Sequence, residues 1–167
     1  PEVARVNPKR QVPVLVDDDF EIYDSTQIFE YLEDLAPEPA LWPRDVRTRA
    51  RARLLELASD EVFFPHVVTL MPQRARATPE EKDAARAAIR AYAGEMERQL
   101  EDRDFLAGPY SYADIAFFMA QTFADFVGAP WGAGHPRLDA WRERVGARPA
   151  VRAVVRPMTD FLRAQRA

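Results

Sequence analysis

A chain of 167 residues, 47% apolar and 30% charged, can bury one sizeable core, or one helical domain plus an appendage, and its composition is ordinary for a soluble globular protein. A net charge of -4 argues against nucleic acid as the main partner, which would favour a basic face. With no cysteine there is no disulfide, thiolate metal site or cysteine nucleophile among these residues. No apolar run is long enough to span a membrane and no signal-peptide pattern is present, so a cytoplasmic protein with no membrane partner is expected.

In chain order, Gln11 to Val16 and Phe20 to Tyr23 read as short strands, joined through the turn signal Asp17-Asp18-Asp19 into a hairpin. Ser25 to Leu35 reads as a helix, with Ile28, Phe29, Leu32 and Leu35 at helical spacing. Pro37, Pro39 and Pro43 then stiffen a connection, with Leu41 and Trp42 expected to tuck against a neighbour. The remainder is helical. Arg44 to about Leu70 carries Val46, Ala50, Leu54, Leu57, Ala58 and Val62 on one face, and Pro65 should kink it. Thr78-Pro79-Glu80-Glu81 is a helix start, followed by the buried stripe Ala85, Ile89, Tyr92, Met96 and Leu100. Ser111 to Val127 is apolar almost all round and should be the central helix. Leu138, Trp141 and Val145 mark a short helix, and Val151 to Leu162 a last one with Pro157 inside it.

A lone hairpin is marginal in water. A further strand-helix-strand unit of roughly 30 residues is therefore expected to pair with it from outside the 167 residues.

Two spots at the hairpin invite a functional reading. Pro13 opens a strand after Val12; a cis bond there would turn the Val12 backbone outward to pair with an extended peptide, whereas a trans proline would simply head an edge strand. Ser25, read as N-cap of the next helix, would satisfy a free N–H, while the helix start and Asp24 could together hold the two charges of an α-amino-acid end. An ordinary capped helix explains the same residues, and both readings stay open at this point. Elsewhere, Ser111 and Asp114 have capping-box spacing with aspartate in place of glutamate, with Tyr110 and Ile115 placed as a hydrophobic staple. His66 and His135 are too far apart in sequence to support a metal site.

The order Asn7-Pro8-Lys9-Arg10-Gln11-Val12-Pro13-Val14-Leu15, then Ile22-Tyr23-Asp24-Ser25-Thr26-Gln27-Ile28, then Leu41-Trp42-Pro43, resembles the soluble glutathione transferases. Asp104 to Ala116 resembles that family's helical-domain signature, and His135 to Val151 is typical of it as well. The resemblance implies a partial thioredoxin-like α/β domain over residues 1–38, a linker over 39–43 and an all-helical domain over 44–167. It implies that the Val12 backbone pairs with the cysteinyl part of glutathione, that Pro13 is cis, that Asp24 and Ser25 hold the γ-glutamyl end, and that Gln11 adds a contact. Arg10 departs from the pattern, standing where the family often has glycine. The electrophile's site would border Phe63, Phe64, His66, Val67, Met71 and Tyr112, and the molecule would be a homodimer. Glutathione is then the co-substrate, with no metal, and its thiolate attacks an electrophilic carbon. No residue of the chain matches the family's activating hydroxyl or thiol, which is expected to lie outside it. The alternatives are a non-catalytic binding or scaffolding module, or a glutathione-dependent isomerase or dehalogenase.

Overall fold

The computed structural model describes residues 2–72 and 77–164. The chain divides into two compact units, Pro1–Leu41 and Trp42–Ala167.

The first unit is a short helix α1 (Glu2–Val6), the antiparallel strands β1 (Val14–Asp17) and β2 (Phe20–Tyr23), and helix α2 (Ser25–Leu35). The register pairs Val14 with Tyr23 and Asp17 with Phe20, leaving Asp18-Asp19 as a two-residue turn; Asp18 takes φ 52°, which such turns require. β1 begins later than the expected Gln11. The Val12–Pro13 bond is cis, as the resemblance implies, and Pro13 has no N–H to give to a ladder. The Glu38–Pro39 bond is also cis. α1 packs on β2, and α2 packs on both strands. The Phe20 and Tyr31 rings lie 5.1 Å apart, and the Tyr31 hydroxyl donates to Asp17 Oδ2 at 2.6 Å. So small an assembly encloses little. Val16, Phe20, Leu32 and Leu35 are about half exposed, and the one fully buried side chain among the unit's described residues is polar, Asn7.

The second unit is helical: α3 (Val46–Ala58), a π-helical turn (Ser59–Phe63), α4 (Phe64–Leu70), α5 (Pro79–Gln99), α6 (Tyr112–Phe126), α7 (Pro136–Gly146) and α8 (Pro149–Ala164). The expected helix from Arg44 to Leu70, with its kink at Pro65, is present from Val46, and its irregularity takes the form of a π turn just ahead of Pro65. The buried side of α3 and the π turn is formed by Ala52, Glu56, Ser59 and Phe63; Val46, Ala50, Leu54, Leu57 and Val62 face outward. α5 starts as expected: Thr78 N–H donates to Glu81 Oε2 at 2.8 Å, and Glu81 N–H donates to Thr78 Oγ1 at 3.2 Å. Its stripe of Ala85, Ile89, Tyr92, Met96 and Leu100 is buried. α6 is the centre of the unit. Its Phe117 packs on Phe63, Tyr92 and Trp141 at ring separations of 5.2, 5.4 and 5.3 Å. Aromatic pairs of this kind each add about 0.5–1.5 kcal/mol beyond their burial.

The start of α6 is held by one carboxylate. Asp114 Oδ2 accepts from Ser111 N–H at 2.9 Å and from the Ser111 hydroxyl at 3.3 Å; its Oδ1 accepts from Leu106 N–H at 2.9 Å and from Trp141 Nε1–H at 2.8 Å. Ser111 is therefore the N-cap, but its hydroxyl donates to Asp114. The ring of Tyr110 packs edge-on to Phe105 at 5.3 Å and lies under the Arg148 guanidinium. α7 is capped from another helix, Glu97 of α5 accepting from the N–H groups of Arg137 at 3.2 Å and Leu138 at 2.9 Å.

Candidate functional site

Antiparallel pairing brings the start of β1 and the end of β2 to one end of the hairpin, so Gln11, Val12 and Pro13 lie at the same end as Asp24 and Ser25. The approach to Val12 is a compact loop. Asn7 N–H donates to Val3 carbonyl at 2.8 Å, and Arg10 N–H donates to Asn7 carbonyl at 2.9 Å. The Asn7 side chain closes the loop, its Nδ2 donating to Gln11 carbonyl at 2.8 Å and its Oδ1 accepting from Lys9 N–H at 2.9 Å. Arg10 takes φ 57°, in the left-handed region where glycine is cheapest, which accounts for its standing at a position where glycine would fit. Val12 emerges 77% exposed, flanked by exposed Gln11 and Pro13.

On the other strand, the residue expected at the N-cap is displaced by one. Asp24, not Ser25, caps α2. Its Oδ1 accepts from Thr26 N–H at 3.1 Å and Gln27 N–H at 3.3 Å, and its φ of 78° turns the chain from strand into helix. Ser25 is the first helical residue and is half-buried. Aspartate and serine cap equally well, so two adjacent candidates are separated only by the backbone, and Asp24 holds the non-helical position. The end of the hairpin thus presents the exposed residue Val12 and a helix start bearing one carboxylate and one hydroxyl. An ammonium suits the first of these side chains, and a carboxylate suits the helix-start N–H groups.

The residues expected to border a hydrophobic pocket all lie in the second unit, and they separate into two sets. Phe63 and Val67 are 1% and 0% exposed and lie in the core of the helical unit, with Phe63 packed on Tyr92 and Phe117. Phe64, His66, Met71 and Tyr112 are half-buried. Phe64 packs edge-on to Phe123 at 6.2 Å, and Tyr112 packs edge-on to Trp42 at 5.7 Å. Among the described residues, no group of three or more His, Asp or Glu side chains could hold a metal ion, and no helix is long and apolar enough to cross a membrane.

Asn7 was not anticipated as part of this site. The signal available was its place in Asn7-Pro8, a turn-forming pair just ahead of the Val12–Pro13 strand entry.

Comparison with known proteins gives these features a family. Residues 1–40 match the family described as "Glutathione S-transferase, N-terminal domain", and residues 58–149 match "Glutathione S-transferase, C-terminal domain". The glutathione S-transferase theta-1 of Mus musculus is 32% identical over 161 residues, covering 86% of this chain; the chain spans 65% of that relative's length. The FtsZ-localized protein A of Caulobacter vibrioides is 31% identical over 170 residues, covering 93% of this chain and 74% of the relative. A solved glutathione S-transferase from Methylobacterium radiotolerans, in complex with glutathione sulfonate, superposes with a TM-score of 0.78 at 29% identity, covering 92% of this chain and 76% of that one. With both domain matches in the family's order and a shared two-part fold, the chain belongs to the glutathione S-transferase family.

Proposed function

We propose that the protein is a cytoplasmic glutathione transferase. The observation that carries this reading is the end of the hairpin, where exposed Val12 and the start of α2 lie at the same end in a chain of this family. In the proposed complex the Val12 N–H and C=O pair with the cysteinyl residue of glutathione as a short added strand, and Gln11 contacts the tripeptide. Asp24 receives the γ-glutamyl ammonium, while the Ser25 hydroxyl and backbone N–H at the start of α2 receive its carboxylate. A thiol with a pKa of about 8.5 is mostly protonated at neutral pH. The reaction therefore needs the thiol proton withdrawn before sulfur forms its bond to an electrophilic carbon, whose leaving group or adjacent π bond takes the displaced electron pair. These residues bind and orient the tripeptide, and none of them is assigned the activating role. Phe64, His66, Met71 and Tyr112 remain candidates for the electrophile's surroundings. The outward stripe of Val46, Leu54, Leu57 and Val62 supports a homodimer, which sedimentation at micromolar concentration tests.

Calorimetric titration with glutathione is the experiment. Ser25→Ala should weaken binding by roughly 1.5–3 kcal/mol through loss of a charge-assisted bond, and Asp24→Asn should weaken it by removing the countercharge. Equal affinity in the unmutated protein and both variants would reduce Asp24-Ser25 to a helix cap. A second reading is a binding module without catalysis, and the relative named for its localization with FtsZ keeps a protein-binding role in view. Glutathione binding without conjugation to any of a set of aryl halides and epoxides would support that second reading.

A further inference from the structure

We infer that Asn7 is a positioning residue for glutathione, fixing the direction in which the Val12 N–H points. The inference rests on the functional reading above. Asn7 is 3% exposed, the sole fully buried side chain among the described residues of its unit, and it is polar. Burying an amide is unfavourable unless its polar atoms are bonded, and here both are. Its Oδ1 accepts from Lys9 N–H at 2.9 Å, and its Nδ2 donates to Gln11 carbonyl at 2.8 Å. Its backbone takes part too, bonded to Val3 carbonyl and to Arg10 N–H. Four hydrogen bonds from one residue therefore shape the segment between α1 and Val12.

The bond to Gln11 matters most. The Gln11 carbonyl and the Val12 N–H belong to one planar trans peptide, in which the two groups point in opposite directions. Holding the carbonyl against the buried Asn7 amide turns the N–H the other way, away from that amide. A donor aimed before the ligand arrives loses less freedom on binding, so the effect should appear in affinity. Loss of the Asn7 donor frees the peptide plane to rotate, while Asp24 and Ser25, at the start of α2, keep their own bonds.

The test is Asn7→Asp in the intact protein. It keeps the acceptor for Lys9 and replaces the Gln11 donor with a carboxylate oxygen that repels the carbonyl; Asn7→Ala, which removes both bonds, is the second variant. Affinity for glutathione is measured by calorimetry, and hydrogen exchange of residues 7–13 by mass spectrometry on the same preparations. Asn7→Asp should weaken binding about tenfold, equivalent to one hydrogen bond, with faster exchange confined to residues 7–13. Combined with Ser25→Ala, the two losses should multiply, because they act on different residues of the tripeptide, the cysteinyl and the γ-glutamyl. Unchanged affinity in Asn7→Asp and Asn7→Ala overturns the inference alone. So does an affinity loss accompanied by faster exchange throughout the unit, which would make Asn7 only a fold residue. Absence of binding by the unmutated protein overturns the functional reading, and this inference with it.

Discussion

Asp114→Ala should be among the most destabilising single substitutions in the helical unit. The carboxylate accepts four donors from three segments: Leu106 N–H, Ser111 N–H, the Ser111 hydroxyl and Trp141 Nε1–H. Four donors on two oxygens fill its acceptor capacity. A buried donor left unpaired costs about 1–3 kcal/mol. Two backbone N–H groups and an indole would lose their partner at a site that is 0% exposed. The four losses are not additive, and water entering the gap recovers part of them, which leaves on the order of 4 kcal/mol. Against a typical domain stability of about 5–15 kcal/mol, that is a large fraction. Ser111→Ala removes the hydroxyl's part in the capping box and should cost about 1 kcal/mol. Asp114→Asn keeps one acceptor oxygen and should fall between the two.

Urea denaturation at constant slope separates these values, a 4 kcal/mol loss moving the midpoint by about 2 M at a slope near 2 kcal/mol/M. Burial holds the Asp114 carboxyl above the usual aspartate range, against the pull of the Leu106, Trp141 and Ser111 donors. The folded chain thus binds this proton more tightly than the unfolded chain. The associated stability is fully present below the ordinary aspartate value and is lost as pH rises through the raised one. The advantage of the unmutated protein over Asp114→Asn should accordingly grow as pH is lowered. If Asp114→Ala costs no more than Ser111→Ala, Asp114 does not hold the start of α6 in the way its bonds indicate.

Other consequences are separable. Among the described residues no group hydrogen-bonds the buried Tyr92 hydroxyl, and burial, then the charge of Glu95, pushes its pKa up to about 12. Unfolding exposes it to ionise near 10, so stability is lost as pH rises from about 10 toward 12, roughly 1 kcal/mol of it by pH 11. Tyr92→Phe should be at least as stable as the unmutated protein at pH 7 and should lack that part of the alkaline loss; equal alkaline loss in denaturant melts of both would refute this. Glu97→Ala removes the acceptor for the first N–H groups of α7 and should cost about 1–2 kcal/mol. An unchanged denaturation midpoint would show that those N–H groups are satisfied by water instead.

The elements that were legible in the sequence are those with both a pattern and a punctuation mark. α2 runs from Ser25 to Leu35 as its spacing predicts, and Thr78-Pro79-Glu80-Glu81 marks the start of α5 through bonds its residues can make locally. The outward stripe on α3 shows the limit. Val46, Leu54 and Leu57 are spaced as a core face, but the chain buries the side bearing Ala52, Glu56 and Ser59, and a polar glutamate and serine give no apolar signal. The π turn escaped for a related reason, since one altered hydrogen bond shifts the helix register without changing its composition. At the candidate site the segment was legible and the roles were not. Asp24 and Ser25 compete for the same cap, and left-handed φ decides between them. Asn7 acts through its own loop, and its burial appears only once that loop has closed around it.

The central claim is that the end of the hairpin receives glutathione. Titrating the isotopically labelled protein with reduced glutathione, while following backbone amide resonances, tests it residue by residue. Saturable shifts are predicted at Gln11, Val12 and the amides from Asp24 to Thr26, with the core of the helical unit, at Phe117 and Trp141, left in place. Saturable binding that leaves Val12, Ser25 and Thr26 unshifted would contradict the account.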